Sequence, residues 1–234
     1  MSSKKSVRKR EYVPHSDCWY LNVCQSDCTE SCIRYNEMKY LIDNSGLPVS
    51  KQKPIALNTE VDLNAYYYLA DIKDDIQSFV KNGSNLYIAS ENTGNGKTSW
   101  AIKLLLKYFD EVWAGNGLRV RGLFVHVPTL LLQLKNFQNP LSNEYKQNLI
   151  DADLVVWDEI ASTSISAYDY SNLLMFMENR LLTEKSNIFT SNSVTKEKLE
   201  DVIGTKLASR IWNTSEIVIF KDKDRRNNGC ISDT

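Results

Sequence analysis

Residues 89–100 read ASENTGNGKTSW and end in Gly-Lys-Thr after a glycine-rich turn. They follow the short apolar run NLYIA (85–89) and lead into KTSWAIKLLLKYFDEVW (97–113), whose apolar residues recur at helical spacing. A glycine-rich turn between a strand and a helix is the context of a phosphate-binding loop with the pattern G-x-x-x-x-G-K-[ST]. The first glycine of that pattern falls at position 91, where this chain has Glu91. We expect that carboxylate to point away from the bound anion.

The remaining residues of the loop fit the chemistry of phosphate binding. Gly94 and Gly96 let the backbone curl so that successive N–H groups face inward, and the N-terminus of the next helix adds a positive dipole. Lys97 would reach the β- and γ-phosphates of ATP, and Thr98 would hold Mg²⁺ through its hydroxyl. The alternative is a turn of similar composition that binds nothing. The predicted nucleotide-binding residues here are Asn92, Thr93, Gly94, Asn95, Gly96, Lys97, Thr98 and Ser99.

A second motif, DLVVWDEI (153–160), is an apolar strand that ends in two adjacent carboxylates. In ATPases with a phosphate-binding loop, such a strand carries an acidic pair. Asp158 would hold Mg²⁺ through water, and Glu159 would act as the general base toward the attacking water. An apolar run followed by Asp-Glu is common by itself. Its place after a phosphate-binding loop, with one strand between, makes the prediction specific.

Two further polar positions complete the predicted catalytic set. The strand NIFTSN (187–192) ends in Asn192, which could orient water against the γ-phosphate, although strands often end in Asn without such a role. Arg210, in LASRIW, could complete the site of a neighbouring subunit as an arginine finger. Arg225 and Arg226, which follow the last predicted strand, are candidates for a further γ-phosphate contact or for a solvated charge run.

Five short apolar strands alternate with segments of helical periodicity, which predicts an α/β fold with a parallel sheet and helices on both faces. The predicted strands cover residues 85–89, 122–127, 153–160, 186–192 and 216–220. The predicted helices cover residues 34–43, 64–83, 97–113, 128–137, 170–185 and 195–212, the last with a glycine inside it.

The chain of 234 residues has a net charge of −1 and is 42% hydrophobic, so a large core is possible and no basic field demands a nucleic acid partner. No apolar run is long enough to span a bilayer, and no apolar segment of a secretory signal follows the basic start. We therefore expect a cytoplasmic protein without a membrane partner. The predicted parts are a basic tail (1–10), a small cysteine-rich module (11–44), a linker (45–60) and the main domain (61–234).

The module contains four of the five cysteines: Cys18, Cys24, Cys28 and Cys32. Four thiolates suit a tetrahedral Zn²⁺ site, and zinc would supply much of the folding energy of so small a unit. The set is more compact than the two separated pairs of most structural zinc sites. An iron–sulfur cluster and free or disulfide-bonded thiols therefore remain alternatives.

The order of these motifs resembles the DnaC/DnaI-type AAA+ helicase-loader ATPases of bacteria and their phages. The resemblance covers roughly residues 60–226 and rests on the loop, the acidic strand, NIFTSN and KLASRI in sequence. It implies a three-layer αβα AAA+ fold, with ATP binding and hydrolysis as a switch. It also implies a DnaB-family replicative helicase and single-stranded DNA as partners, and self-association through Arg210. The Gram-positive loaders carry an N-terminal zinc module that docks on the helicase, which by position corresponds to the cysteine cluster.

The resemblance also suggests where single-stranded DNA would lie. Ser166 and Tyr168, in the segment after Glu159, and Lys135 and Phe137, at the end of LLLQLKNF, are the candidates. The alternative is that Phe137 packs in a core and Tyr168 caps a helix. Two other functions stay open: an IstB-like transposition ATPase, which usually lacks a cysteine module, and a weakly hydrolysing nucleotide-binding adaptor.

Overall fold

The computed structural model describes residues 15–21, 23–24, 29–51, 62–112, 117–136, 138, 140–162 and 165–221. The strands in this part of the chain are β1 (Asn85–Ala89), β2 (Gly122–His126), β3 (Leu154–Asp158), β4 (Ser186–Ser191) and β5 (Ser215–Ile219). The helices are α1 (Ile33–Asp43), α2 (Leu63–Asp74), α3 (Ile76–Lys81), α4 (Lys97–Glu111), α5 (Val127–Leu134), α6 (Asn143–Asp151), α7 (Ala167–Leu182), α8 (Lys196–Ile203) and α9 (Thr205–Thr214). Among them, no helix combines the length and the apolar character needed to cross a membrane.

The strands form one parallel sheet in the order β2-β3-β4-β1-β5. The predicted fold class is confirmed, since helices cover both faces of this five-stranded sheet. β1 lies between β4 and β5. After β1 the chain forms the three strands on one side of β1, and it then forms β5 on the other side. In open sheets of this kind, ligands bind beyond the carboxyl ends of the strands where the connections diverge.

Each strand divides its side chains between two cores because successive residues of a strand point to opposite faces. In β1, Leu86 and Ile88 belong to the core on the face covered by α4, whereas Tyr87 belongs to the core on the other face. Burial on both sides explains why these strands read as nearly continuous apolar runs rather than as alternating ones.

Three helical regions differ from the sequence prediction, and one of them is the segment 195–212, which Gly204 divides into α8 and α9. The segment 64–83 is not one helix, because the chain breaks at Asp75 (φ −125°, ψ 44°) between α2 and α3. Helix α6 was not predicted at all, because NEYKQNLID is strongly polar and only Leu149 of it is buried. Its start is encoded locally, since the side chain of Ser142 accepts a hydrogen bond from the Tyr145 backbone N–H.

The helix of the cysteine-rich region packs against α4. Met38, Leu41 and Ile42 of α1 are buried in the same core as Leu104 of α4. The Arg34 side chain also reaches Asp110 at the end of α4, at 3.1 Å. The domain boundaries proposed from sequence stay a prediction, but α1 and α4 share one hydrophobic core.

A fully buried arginine on α7 connects several of these elements. Arg180 donates to the backbone oxygens of Leu149 (2.9 Å) and Ala152 (2.8 Å) at the end of α6, and to the Asn187 side chain on β4 (2.6 Å). Burial lowers the pKa of Arg180 to about 9, so the guanidinium is still charged at neutral pH. A cation is favourable at a helix C-terminus, where the carbonyl groups lack helical partners.

Replacing Arg180 should therefore be costly. We expect Arg180→Met to lower the free energy of unfolding by about 3 kcal/mol or more, because several buried oxygens lose their hydrogen-bond donor while the volume is roughly kept. Urea denaturation followed by circular dichroism would measure it.

The matched control is Arg210→Met, because Arg210 lies on the surface and only approaches Glu178, at 3.8 Å. Exposed pairs of this kind contribute about 0–1 kcal/mol. Equal losses for the two variants would show that the buried network does not stabilise the fold.

Candidate functional site

The glycine-rich loop lies between β1 and α4, beyond the carboxyl end of β1. Gly94 (φ 71°) and Gly96 (φ 98°) both adopt the left-handed conformation that favours glycine. The buried Asn95 side chain between them donates to the Ser90 hydroxyl. This hydrogen bond connects Asn95 to Ser90, the residue that follows β1. The shape of the loop is therefore stabilised by side chains of the loop itself.

Glu91 occupies the position where the motif usually has glycine. Positive φ occurs at Asp62, Glu159 and Glu184 among the described non-glycine residues, and not at Glu91. The side chain is 63% exposed and forms an ion pair with Lys198 of α8 at 2.5 Å. The backbone of this loop therefore does not require glycine at position 91.

Lys97 is the first residue of α4, and its side chain is largely buried within the loop. Its amine donates to the Asn92 backbone carbonyl (2.8 Å) and lies 3.4 Å from the Asn95 side-chain oxygen. The ammonium thus sits inside the curl of the loop, where a phosphate group would be surrounded by backbone N–H groups.

Asp158, at the end of β3, forms a second centre opposite the loop. Its Oδ1 accepts hydrogen bonds from the hydroxyls of Thr98 on α4 and Thr190 on β4, both at 2.7 Å. Burial raises the pKa of the Asp158 carboxyl, against the effect of the two hydroxyl donors. A buried carboxylate with only neutral donors is a favourable ligand for a cation.

Glu159 follows directly and has a strained backbone conformation with φ 58°. Its N–H is held by the Thr190 hydroxyl at 3.0 Å. Its carboxylate lies 3.4 Å from Nε2 of His126, the last residue of β2. The other ring nitrogen of His126 contacts the Thr129 hydroxyl at 2.8 Å. The Glu159 carboxylate is therefore oriented toward His126, at the carboxyl ends of the strands.

These groups fit Mg²⁺ in their donor chemistry. The Thr98 hydroxyl and the Asp158 carboxylate are hard oxygen ligands 2.7 Å apart, and Mg²⁺ in nucleotide sites takes such ligands with water and phosphate. Among the described residues, His126, Asp158 and Glu159 also have ligand atoms within 4.8 Å of one another. The imidazole is less suited to Mg²⁺ than the two oxygen groups are.

The loop and the acidic pair face one cavity of about 520 Å³. It brings together most of the predicted nucleotide-binding residues, both carboxylates and Asn192. Its lining is Lys51, Thr93, Gly94, Asn95, Gly96, Lys97, Thr98, Ser99, Asp158, Glu159, Ser162, Ser191 and Asn192.

Of the predicted arginines, Arg210 is described, and it does not line this cavity. Arg210 is on α9 and faces Glu178 of α7. A position away from the chain's own cavity is what a residue acting on a neighbouring subunit requires. Arg225 and Arg226 lie outside the described residues.

Three of the candidate DNA residues, Lys135, Ser166 and Tyr168, lie where the end of α5 approaches the start of α7. Ser166 caps α7 in a reciprocal pair with Asp169, and Lys135 forms an ion pair with the same buried Asp169 at 2.7 Å. Tyr168 is 46% exposed, and its hydroxyl donates to the Leu134 carbonyl at 3.2 Å. The side chains of Ser166 and Lys135 thus both contact Asp169, and the Tyr168 ring is partly exposed to solvent. Phe137 lies outside the described residues.

Three of the four clustered cysteines are described, and Cys28 is outside the described part of the chain. Cys18 and Cys32 are not in disulfide bonds. The Cys18 sulfur accepts from the Tyr20 backbone N–H at 3.4 Å. No set of three metal-ligating groups that includes a cysteine occurs among the described residues. The zinc site stays a prediction.

Sequence reasoning did not select Thr190, His126 or Lys51. Thr190 and His126 follow from sheet geometry, since parallel strands bring their carboxyl ends to one edge and His126 is the register partner of Asp158. Their selection requires the strand order, which the sequence does not state. Nothing in the sequence signals Lys51, which belongs to the predicted linker.

Comparison with solved structures places the fold. The chain is similar to the DnaC helicase loader (19% identity, TM-score 0.59), with 71% of this chain and 94% of that chain covered. It is similar to DnaI (17% identity, TM-score 0.57; 77% and 93% covered). It is also similar to the replication initiator DnaA bound to AMPPCP and single-stranded DNA (17% identity, TM-score 0.54; 79% and 50% covered).

Neither a protein-family model nor a curated protein sequence matches the chain. The structural likeness establishes that this chain shares the three-layer αβα fold of these proteins. It also confirms, for the fold, the resemblance to DnaC/DnaI-type loaders that the order of motifs predicts.

The buried Asp158 leads to a prediction about stability. Without Mg²⁺ and nucleotide, we expect Asp158→Asn to raise the free energy of unfolding at neutral pH by about 1 kcal/mol, because it removes a buried charge and keeps the Oδ1 acceptor. Because the folded-state pKa is raised, wild-type Asp158 takes up a proton as the pH falls toward 3.8 and the difference should shrink. Urea denaturation in EDTA at several pH values would measure both effects.

The control is Asp169→Asn, for which we expect the opposite change in the free energy of unfolding. Burial favours the protonated form of Asp169, but hydrogen bonds from Lys135 and Ser166 outweigh it and lower the pKa of this carboxyl. Its charge therefore stabilises the fold above the unfolded pKa, and Asp169→Asn should lower stability at neutral pH. A loss of stability in Asp158→Asn would contradict the interpretation of Asp158 as a costly site for a cation.

Proposed function

We propose that this protein is an ATP-dependent loader of a hexameric DnaB-family replicative helicase onto single-stranded DNA, in which ATP binding and hydrolysis act as a switch. The observation that carries the ATP-dependent part is the single cavity that joins the phosphate-binding loop to Asp158, Glu159 and Asn192. The loader part is supported by the likeness to the DnaC helicase loader and to DnaI over more than nine-tenths of their chains. The cytoplasmic location expected from sequence goes with this role.

Each residue of the cavity has a defined task in this proposal. The loop N–H groups and the Lys97 ammonium bind the β- and γ-phosphates. Thr98 and Asp158 hold the magnesium ion, which neutralises charge between the two phosphates when bound. Glu159 accepts a proton from the attacking water, and Asn192 orients that water.

Two substitutions separate binding from hydrolysis. We expect Lys97→Ala to lower the affinity for ATP about 100-fold, because an ammonium inside the loop is lost. We expect Glu159→Gln to bind ATP with nearly unchanged affinity and to lower turnover at least about 100-fold, because a general base is removed. Isothermal titration calorimetry and a phosphate-release assay measure the two quantities.

Arg210→Ala extends this test to self-association. If Arg210 completes a neighbouring site, the variant should bind ATP like the wild type, and its turnover should fail to rise with protein concentration. If the turnover of Glu159→Gln and that of Arg210→Ala both equal the turnover of the wild type, the proposed catalytic set is refuted. Binding without any turnover in the wild type would favour the adaptor function.

Among the described candidates for contact with single-stranded DNA, Tyr168 is an aromatic residue that is 46% exposed. Aromatic stacking is independent of sequence and contributes about 1–3 kcal/mol per base. Fluorescence anisotropy with a labelled oligothymidine should show weaker binding for Tyr168→Ala than for the wild type. Equal binding would remove Tyr168 from the proposal. Ser166, Lys135 and Phe137 are proposed as supporting contacts.

The helicase itself is the decisive partner. We expect native mass spectrometry of the chain mixed with a DnaB-family hexamer to show a complex of defined stoichiometry when ATP and Mg²⁺ are present. The complex should weaken in Lys97→Ala, because the nucleotide sets the conformation that binds. The mass of the chain alone reports whether Cys18, Cys24, Cys28 and Cys32 hold one Zn²⁺ as proposed, since each ion adds a fixed mass.

The same spectra distinguish the alternatives. Absence of a helicase complex in every nucleotide state, with binding to double-stranded DNA and a transposase instead, would favour an IstB-like ATPase. A chain without bound metal would leave the thiols free or disulfide-bonded. An iron–sulfur cluster would appear as a larger mass and as visible absorbance.

A further inference from the structure

The wall of the nucleotide cavity includes a lysine that precedes the main sheet in the chain. Lys51 belongs to a single turn of 3-10 helix, Val49–Lys51. It lines the cavity together with Lys97, Asp158, Glu159 and Asn192. It is therefore a second cation at a site where the proposed ligand is strongly anionic.

The segment before Lys51 is fixed along the edge strand β2. The Ser45 carbonyl accepts a hydrogen bond from the Phe124 backbone N–H at 2.6 Å. Gly46 (φ 74°) approaches the same strand so closely that a Cβ there would lie 2.8 Å from the Phe124 carbonyl oxygen. Leu47 is buried in the core shared by α1 and α4. The approach of Lys51 to the cavity thus follows from backbone and core contacts rather than from a free tail.

The turn ends with the side chain of Lys51 accessible. Its N–H donates to the Pro48 carbonyl at 2.7 Å, which closes the turn. The residue is exposed, and within the described part of the chain no carboxylate forms a salt bridge with it. Lys97, by contrast, donates to the Asn92 carbonyl inside the loop. The Lys51 ammonium is thus available to a ligand that enters the cavity.

The position within the cavity selects the part of the nucleotide that Lys51 would contact. The loop from Thr93 to Ser99 surrounds the phosphates on one side. The rest of the lining includes Glu159 and Asn192, the groups assigned to the terminal phosphate and its attacking water. Of the described residues that line the cavity outside the loop, Lys51 alone carries a positive charge, so it is the group there that can offset the charge of the γ-phosphate.

We propose that Lys51 binds the γ-phosphate of ATP and thereby couples the nucleotide state to the segment 45–51 and to helix α1. This inference rests on the proposed ATP site. The segment is continuous with α1, whose residues Met38, Leu41 and Ile42 pack in the core next to α4. Contact with the γ-phosphate tightens the segment in the ATP state, and loss of the γ-phosphate releases it. The N-terminal region therefore senses which nucleotide is bound.

The test compares two nucleotides that differ in the γ-phosphate. With Mg²⁺ present, Lys51→Ala should lower the affinity for AMPPCP about tenfold, the usual size of one charge-assisted contact, and should change the affinity for ADP less than twofold. Lys51→Arg should restore most of the AMPPCP affinity, because it restores the positive charge. Isothermal titration calorimetry measures all three proteins with both nucleotides.

Lys81→Ala is the matched control. Lys81 is an exposed lysine on α3, before β1, and lines a separate groove next to the starting ends of β3 and β4. Its removal changes the net charge equally and should leave both affinities unchanged. Unchanged AMPPCP affinity in Lys51→Ala, or equal losses for AMPPCP and ADP, would overturn the inference. If the wild type and Lys97→Ala bind AMPPCP equally weakly, the proposed ATP site itself fails.

Hydrogen exchange tests the coupling separately. AMPPCP should slow amide exchange in residues 45–51 of the wild type more than ADP does, and this difference should vanish in Lys51→Ala. Thermal unfolding without nucleotide should be the same for both proteins, which excludes a merely structural effect. Equal exchange with AMPPCP and ADP in the wild type would overturn the coupling.

Discussion

Arg180 places a full positive charge between α7 and the sheet, and its acceptors belong to elements that are far apart in the chain. It donates to the carbonyls of Leu149 and Ala152 at the end of α6, to the Ser186 carbonyl, and to the Asn187 side chain. A buried guanidinium is tolerated only where its donors are satisfied. The positions of α6, α7 and β4 are therefore constrained together.

Asn187 extends this constraint across the sheet. Its side-chain oxygen accepts from both Arg180 and the Trp157 indole N–H, and its amide donates to Asn85. The bond between Asn187 and Asn85 thus joins β4 and β1 at their starting ends, and Trp157 connects β3 to the same side chain. Because strands are nearly rigid, the register of these strands also determines which residues meet at the opposite ends. There, Asp158 and the loop after β1 line the cavity of the proposed nucleotide site, and the buried Thr190 donates a hydrogen bond to Asp158.

The sequence predicts the parts of this site that are encoded by local patterns. The glycine-rich turn, the acidic strand end and five apolar strands are visible as short motifs, and each strand occurs where it is expected. What depends on neighbours in space is not visible. In the sequence, Thr190 is only a polar residue at the end of a strand. Its hydrogen bonds to Asp158 and to the Glu159 N–H form because β4 lies beside β3. Helix α6 is too polar to show helical periodicity, and Arg180 reads as one charge on an amphipathic helix.

The departure at Glu91 shows why a motif and a structure can disagree without loss of the site. The motif has glycine at the position of Glu91. In this loop, however, the residues with a left-handed backbone are Gly94 and Gly96, so position 91 does not need glycine. The loop obtains its remaining constraint from Asn95 and Ser90. An exposed ion pair such as Glu91–Lys198 contributes little stability. Glu91 is not among the residues that line the cavity, so the charged groups of the lining are Lys97, Lys51 and the two carboxylates.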